Sequence, residues 1–114
     1  MNVALTDQGD ITVCTIDGNL EYSTVATFRA TVAGLQPKRP VVFDLAGVPF
    51  IDSSGIGALI GAVRRTREMG ADAVVCSLRP SVWRVLNLVG LPRVVAVVAT
   101  REEAEQRCNE AAVA

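Results

Sequence analysis

The chain has 114 residues, enough for one domain that buries about two-thirds of the surface its unfolded form would expose. Half of it is apolar while aromatics make up 4%, so the core has to be built from Val, Leu, Ile and Ala. Eleven Lys and Arg against twelve Asp and Glu leave a net charge of −1, which argues against a nucleic-acid binder with its clustered basic surplus.

The opening "MNVALTDQGD" lacks the basic region and apolar stretch of a signal peptide, and no apolar run approaches the ~18 residues that span a bilayer. Cys14, Cys76 and Cys108 are an odd number at wide spacing, unlike a disulfide framework. A cytoplasmic protein with reduced thiols is expected, without a membrane partner.

In chain order, "NVALTDQ" and "ITVCTIDGNL" read as a β-hairpin turned at Gly9 and Asp10, the second strand alternating and rich in β-branched residues. "STVATFRATVAGL" places Val25, Phe28, Val32 and Leu35 at helical spacing behind Ser23 or Thr24 as N-cap. "VVFDL", residues 41–45, is continuously apolar up to Asp44, the pattern of a strand covered on both faces.

A helix follows, with Ile56, Leu59, Ile60 and Val63 as one stripe, Arg64, Arg65, Arg67 and Glu68 toward water, and Gly70 closing it. "DAVVCSL" repeats the buried-strand pattern, Pro80 opens the helix "SVWRVLNLVG", and "RVVAVVA" reads as a third buried strand. Thr100 caps the last helix, "REEAEQRCNEAA", which carries acids in its first turn. Alternation of this kind predicts a single α/β domain over 1–114, with helices on a mixed, mostly parallel sheet of four to five strands.

The catalytic inventory is thin. Without His no Ser-His-Asp or Cys-His arrangement can form, and metal sites built on His or closely spaced Cys are equally out of reach. Neither G-x-x-x-x-G-K-[ST] nor G-x-G-x-x-G occurs. Asp44 and Asp52 are the one carboxylate pair with a conceivable cation role, though Asp44 reads better as the end of a hydrogen-bonding network. A protein that is not an enzyme and needs no cofactor is expected. Trp83 reads as shoulder packing beside Val82 and Leu86, and Cys76 and Cys108 meet only if the last helix packs near the fourth strand.

The stretch "FIDSSGIGALIGAVRRTREMG", residues 50–70, gathers an acid, two serines and a glycine at a helix start. Capping by Asp52 or Ser53, with Gly55 relieving crowding, accounts for short polar residues there. It leaves unexplained why two serines stand beside a glycine between Ile51 and Ile56.

Here a resemblance bears on the question. "VVFDLAGVPFIDSSGIGALIGAVRRTREMGADAVVCSLRPSVWRVLNLVGL" resembles the STAS domain, specifically the bacterial anti-sigma factor antagonists, through the Asp-bearing strand, the D-S-S-G-I-G helix start and the P-x-V-x-R-V-L-x-L-x-G-L helix. The resemblance implies binding to an anti-sigma factor that is also a serine kinase, release of a sigma factor, phosphorylation of Ser53 and resetting by a PP2C-type phosphatase. It implies that Asp52 shapes the site and that Ser54 caps or supports a helix beginning with Gly55 and Ile56.

It also implies a partner surface on "DGNLEYST", where such proteins tend to show G-x-L-D-x-x-[ST]. Gly18, Leu20 and Ser23 or Thr24 fit, whereas Glu21 replaces the usual Asp and Asn19 stands at a position often charged; an ordinary turn and N-cap explains the loop equally well. Two further readings stay open, a STAS scaffold in a lipid-transport or stress-signalling assembly and a small anion-binding domain. A monomer or weak dimer is expected.

Overall fold

The structure is a computed structural model that describes residues 1–113, with side chains as far as Glu110. Its order is β1 (Asn2–Gln8), β2 (Ile11–Asp17), α1 (Val25–Val32), β3 (Val41–Gly47), α2 (Ser53–Glu68), β4 (Ala73–Cys76), α3 (Pro80–Leu88), a 3-10 turn (Leu91–Arg93), β5 (Ala96–Val98) and α4 (Arg101–Val113). The strands lie in the order β1-β2-β3-β4-β5, antiparallel in the opening hairpin and parallel throughout the rest.

Because each parallel strand is added beside the last in the same direction, crossovers of one hand place α1, α2 and α3 on one face. Side-chain alternation divides the core accordingly. Cys14, Ile16, Phe43, Leu45 and Val75 meet Phe28 of α1, Leu59 and Val63 of α2 and Leu86 of α3. The intervening residues Val13, Val42, Val74 and Cys76 face the other way and are covered by Ala104 and Cys108 of α4. Val41–Leu45 is buried at every position, as its unbroken apolar run predicts. β1 is covered on one side only, so Val3 and Leu5 pack inward while Ala4 and Thr6 are exposed.

Two sequence expectations shift. The strand expected over "RVVAVVA" contracts to Ala96–Val98. Gly90 takes the left-handed conformation at φ 82 and Leu91–Arg93 winds into a 3-10 turn, so Arg93 and Val94 are spent on the connection. The helix expected from Gly55 starts two residues earlier, at Ser53. At its far end the Gly70 N–H bonds to the Arg67 carbonyl and the Ala71 N–H to that of Thr66, with Gly70 at φ 81, so the glycine does close the helix.

Candidate functional site

Asp52 is what starts α2. Its backbone is extended and its Oδ1 accepts the Gly55 N–H at 2.9 Å, which satisfies one of the free donors of the first turn. The second oxygen reaches across the fold: Oδ2 accepts the backbone N–H of Tyr22, in the loop between β2 and α1, at 3.1 Å. The Gly55 bond is the largest influence holding this carboxyl below its ordinary range; partial desolvation opposes it and the Tyr22 bond reinforces it.

The same loop is pinned to α2 through the backbone. Leu20 N–H bonds to the Phe50 carbonyl at 3.0 Å, and Asp52 N–H bonds to the Leu20 carbonyl at 3.3 Å. These contacts make a parallel bridge between Leu20 and Ile51. Leu20 is fully buried and its carbonyl lies where a Cβ on Gly55 would stand, so the glycine is required by this close approach. Thr24 rounds the corner into α1, accepting the Glu21 N–H at 3.0 Å and donating to the Asn19 carbonyl at 2.7 Å. As N-cap of α1 it makes no side-chain bond to the helix itself.

The two segments singled out in the sequence, Gly18–Ser23 and Asp52–Ile56, therefore stand side by side. Ser53, Asn19 and Ser23 are exposed; Asp52, Ser54, Ile56, Gly18 and Glu21 are half-buried; Leu20 and Gly55 are buried and shape the surface from beneath. The Ser53 hydroxyl has no hydrogen bond among the described residues. The Ser54 side chain accepts no capping N–H from the helix, a role that falls to Asp52.

Sequence reading passed over two neighbours. Tyr22 is 81% exposed and Phe50 50% exposed, and both lie in segments whose backbones are tied together here, the Tyr22 N–H bonding to Asp52 and the Phe50 carbonyl accepting the Leu20 N–H. In a chain with so few aromatics, an aromatic in a polar loop was the available signal. Nearby, Arg79 Nε donates to the Ala46 carbonyl at 2.9 Å and steadies the loop that leads to Phe50.

Asp44 lies apart from this surface. It is buried in the middle of β3, accepts the Ala46 N–H at 3.0 Å and faces Arg101 of α4 at 3.9 Å. It thus ends a polar network, and both oxygens of Asp52 already accept backbone N–H groups. Among the described residues no three His, Cys, Asp or Glu side chains gather as metal ligands. Trp83 borders a shallow apolar groove with Leu78, Val97 and Val98. Cys76 and Cys108 share the apolar cluster under α4, both as free thiols. No described helix is long and apolar enough to cross a membrane.

The profile of the STAS domain matches residues 2–104. The chain belongs to the STAS domain family. Among its relatives, the anti-sigma F factor antagonist of Paenibacillus polymyxa is 26% identical over 90 residues, which cover 76% of this chain and 77% of the relative. A solved anti-sigma-factor antagonist (STAS) domain protein of Planctomyces limnophilus superposes with a TM-score of 0.80 at 28% identity, covering 94% of this chain and 97% of that one. The phosphorylated form of the Bacillus cell fate determinant SpoIIAA shares the fold at a TM-score of 0.68 and 22% identity, over 93% of this chain and 98% of that one.

Proposed function

We propose that this STAS protein is an anti-sigma factor antagonist: it docks on an anti-sigma factor that is also a serine kinase, frees a sigma factor, and is switched off when Ser53 is phosphorylated. The observation that carries the reading is Ser53 itself, an exposed residue on the first turn of α2 whose hydroxyl has no hydrogen bond among the described residues. The names of its relatives support the same role.

The chemistry suits the position. A bond forms between Ser53 Oγ and the γ-phosphorus of ATP as the bond to ADP breaks, and the hydroxyl proton passes to a base on the kinase. The product sits where free N–H groups and the positive end of the helix receive an anion without unfolding the chain. A phosphate adds about −1.5 to −2 charges. Against one acidic group of the partner ~7 Å away, at an effective dielectric near ~40, that costs roughly 2–2.5 kcal/mol, or about 50-fold in affinity. A PP2C-type phosphatase restores the hydroxyl by hydrolysis.

Incubation with the cognate kinase and ATP, followed by phosphopeptide mass spectrometry, tests the reading. The label is expected on Ser53 alone, with Ser53→Ala staying bound to the partner in the presence of ATP. Label on Ser54 or Thr66, or equal dissociation constants for wild type and phosphorylated protein, would overturn it.

A further inference from the structure

The loop between β2 and α1 is held at both ends and by a single bond in the middle. Leu20 is buried and fixed by backbone bonds to Phe50 and Asp52, and Thr24 is fixed at the start of α1. Between them, the one hydrogen bond joining Glu21–Ser23 to the α2 side, among the described residues, runs from Tyr22 N–H to Asp52 Oδ2. The other bonds of this segment are local, within Glu21–Val25. Asp52 is therefore shared: one oxygen holds the helix start and the other holds the Tyr22 segment.

We propose that Asp52 is a positioning residue that couples Ser53 to Tyr22, so that a phosphoryl group on Ser53 displaces the Asp52 carboxylate and frees the Glu21–Ser23 segment. The inference rests on the phosphorylation reading and adds a moving part to it. A phosphoserine at the first helical residue is a stronger acceptor for the N–H groups of that turn than a carboxylate, and those are the donors Asp52 uses. The two anions stand on adjacent residues, so the newcomer also repels the carboxylate. Once Asp52 turns away, the Tyr22 N–H loses its acceptor, and water replaces it at little cost because the site is exposed. The exposed Tyr22 side chain then moves with its backbone. Leu20 and Thr24 act as the hinges, so the fold persists while the docking surface changes shape.

The test uses the intact 15N-labelled protein with phosphoserine installed at position 53 during translation, in wild-type and Asp52→Asn backgrounds. Asn caps a helix about as well as Asp, so the variant keeps α2. Its amide, however, presents an N–H2 where Tyr22 needs an acceptor. In the wild type, phosphorylation is expected to move the Tyr22 amide resonance upfield and speed its exchange with water, while the buried Leu59 amide stays unchanged. In Asp52→Asn the Tyr22 amide should already sit at the released position and phosphorylation should not move it further.

A Tyr22 amide unaffected by phosphorylation in the wild type overturns the coupling. So does a shift of equal size in Asp52→Asn, which would mean that Asp52 transmits nothing. Titration of the same samples with the anti-sigma factor separates the two proposals. Release of the partner with Tyr22 unmoved removes the coupling and keeps the switch. Movement of Tyr22 without release of the partner keeps the coupling and removes the switch.

Discussion

The carbonyl of Leu20 occupies the space that a Cβ on Gly55 would need, and this one contact locks the β2–α1 loop against the start of α2. Gly57 and Gly61, on the same helix, have nothing within 4 Å of the corresponding position. The three glycines should therefore respond oppositely to one added methyl group. Gly55→Ala is expected to destabilise by about 1–3 kcal/mol, because the loop backbone has to give way. Gly57→Ala and Gly61→Ala should each stabilise by roughly 0.5–1 kcal/mol through helix propensity. Urea denaturation of the three variants checks the ordering; a Gly55→Ala protein as stable as wild type would contradict the close approach.

Much of this arrangement was legible in the sequence, and the exceptions have physical causes. Val41–Leu45 reads as a two-faced strand because burial on both sides demands an unbroken apolar run, and the fold has α4 on one side and α1–α3 on the other. Thr100 was legible as a cap and does accept the Glu103 N–H at 3.2 Å. By contrast, Val94 and Val95 look like strand residues, and only the left-handed Gly90 ahead of them shows why the strand begins late. At the site, the DSSG motif marks a helix start but not its first residue, since the sequence does not distinguish a cap on Asp52 from one on Ser53 or Ser54. The Tyr22–Asp52 bond was invisible for a different reason. Its donor is a backbone N–H thirty residues away, a group that every non-proline residue carries.

The three thiols are expected to be unreactive while the protein is folded. Burial pushes Cys14 up to about 12 and Cys76 and Cys108 to about 11, so almost no thiolate exists at pH 8. The location of Cys76 and Cys108 under α4 also keeps reagents out. With a chromogenic disulfide reagent, native protein should show negligible labelling, and all three thiols should appear when denaturant unfolds it. Rapid labelling of Cys108 alone would mean that α4 lifts away from the sheet on its own.

Asp52 gives stability a dependence on acid. Its folded-state pKa lies below the ordinary value of 3.8, with the Gly55 N–H as the main cause. A carboxylate with a depressed pKa contributes stability that is complete above the unfolded pKa and is lost as pH falls through the folded one. The difference in denaturation midpoint between wild type and Asp52→Ala should therefore be constant near neutrality and shrink below pH 3.8. Asp52→Asn, which keeps a neutral cap, should lie close to wild type at pH 7 and show no such acid-dependent step. A gap between wild type and Asp52→Ala that persists unchanged to strong acid would show that the charge contributes nothing.

Tyr22 and Phe50 offer the sharpest separation between folding and docking. Both rings are largely exposed, so removing either forfeits little burial, and Tyr22→Ala and Phe50→Ala should stay within about 0.5 kcal/mol of wild-type stability. A protein with aromatics this scarce leaves two of them exposed on the two segments joined at the start of α2, and large aromatic side chains are the groups that anchor protein interfaces. If the antagonist docks through this surface, each truncation should weaken binding to the anti-sigma factor by about 1–2 kcal/mol, roughly 5- to 30-fold. Trp83→Ala provides the contrast: its ring borders a groove lined by Leu78, Val97 and Val98 rather than by Tyr22 or Phe50, so it should leave affinity unchanged. Calorimetric titration of the three variants decides the matter. Wild-type affinity in both Tyr22→Ala and Phe50→Ala would move the docking surface elsewhere on the molecule, and weakened binding in Trp83→Ala would move it toward β5.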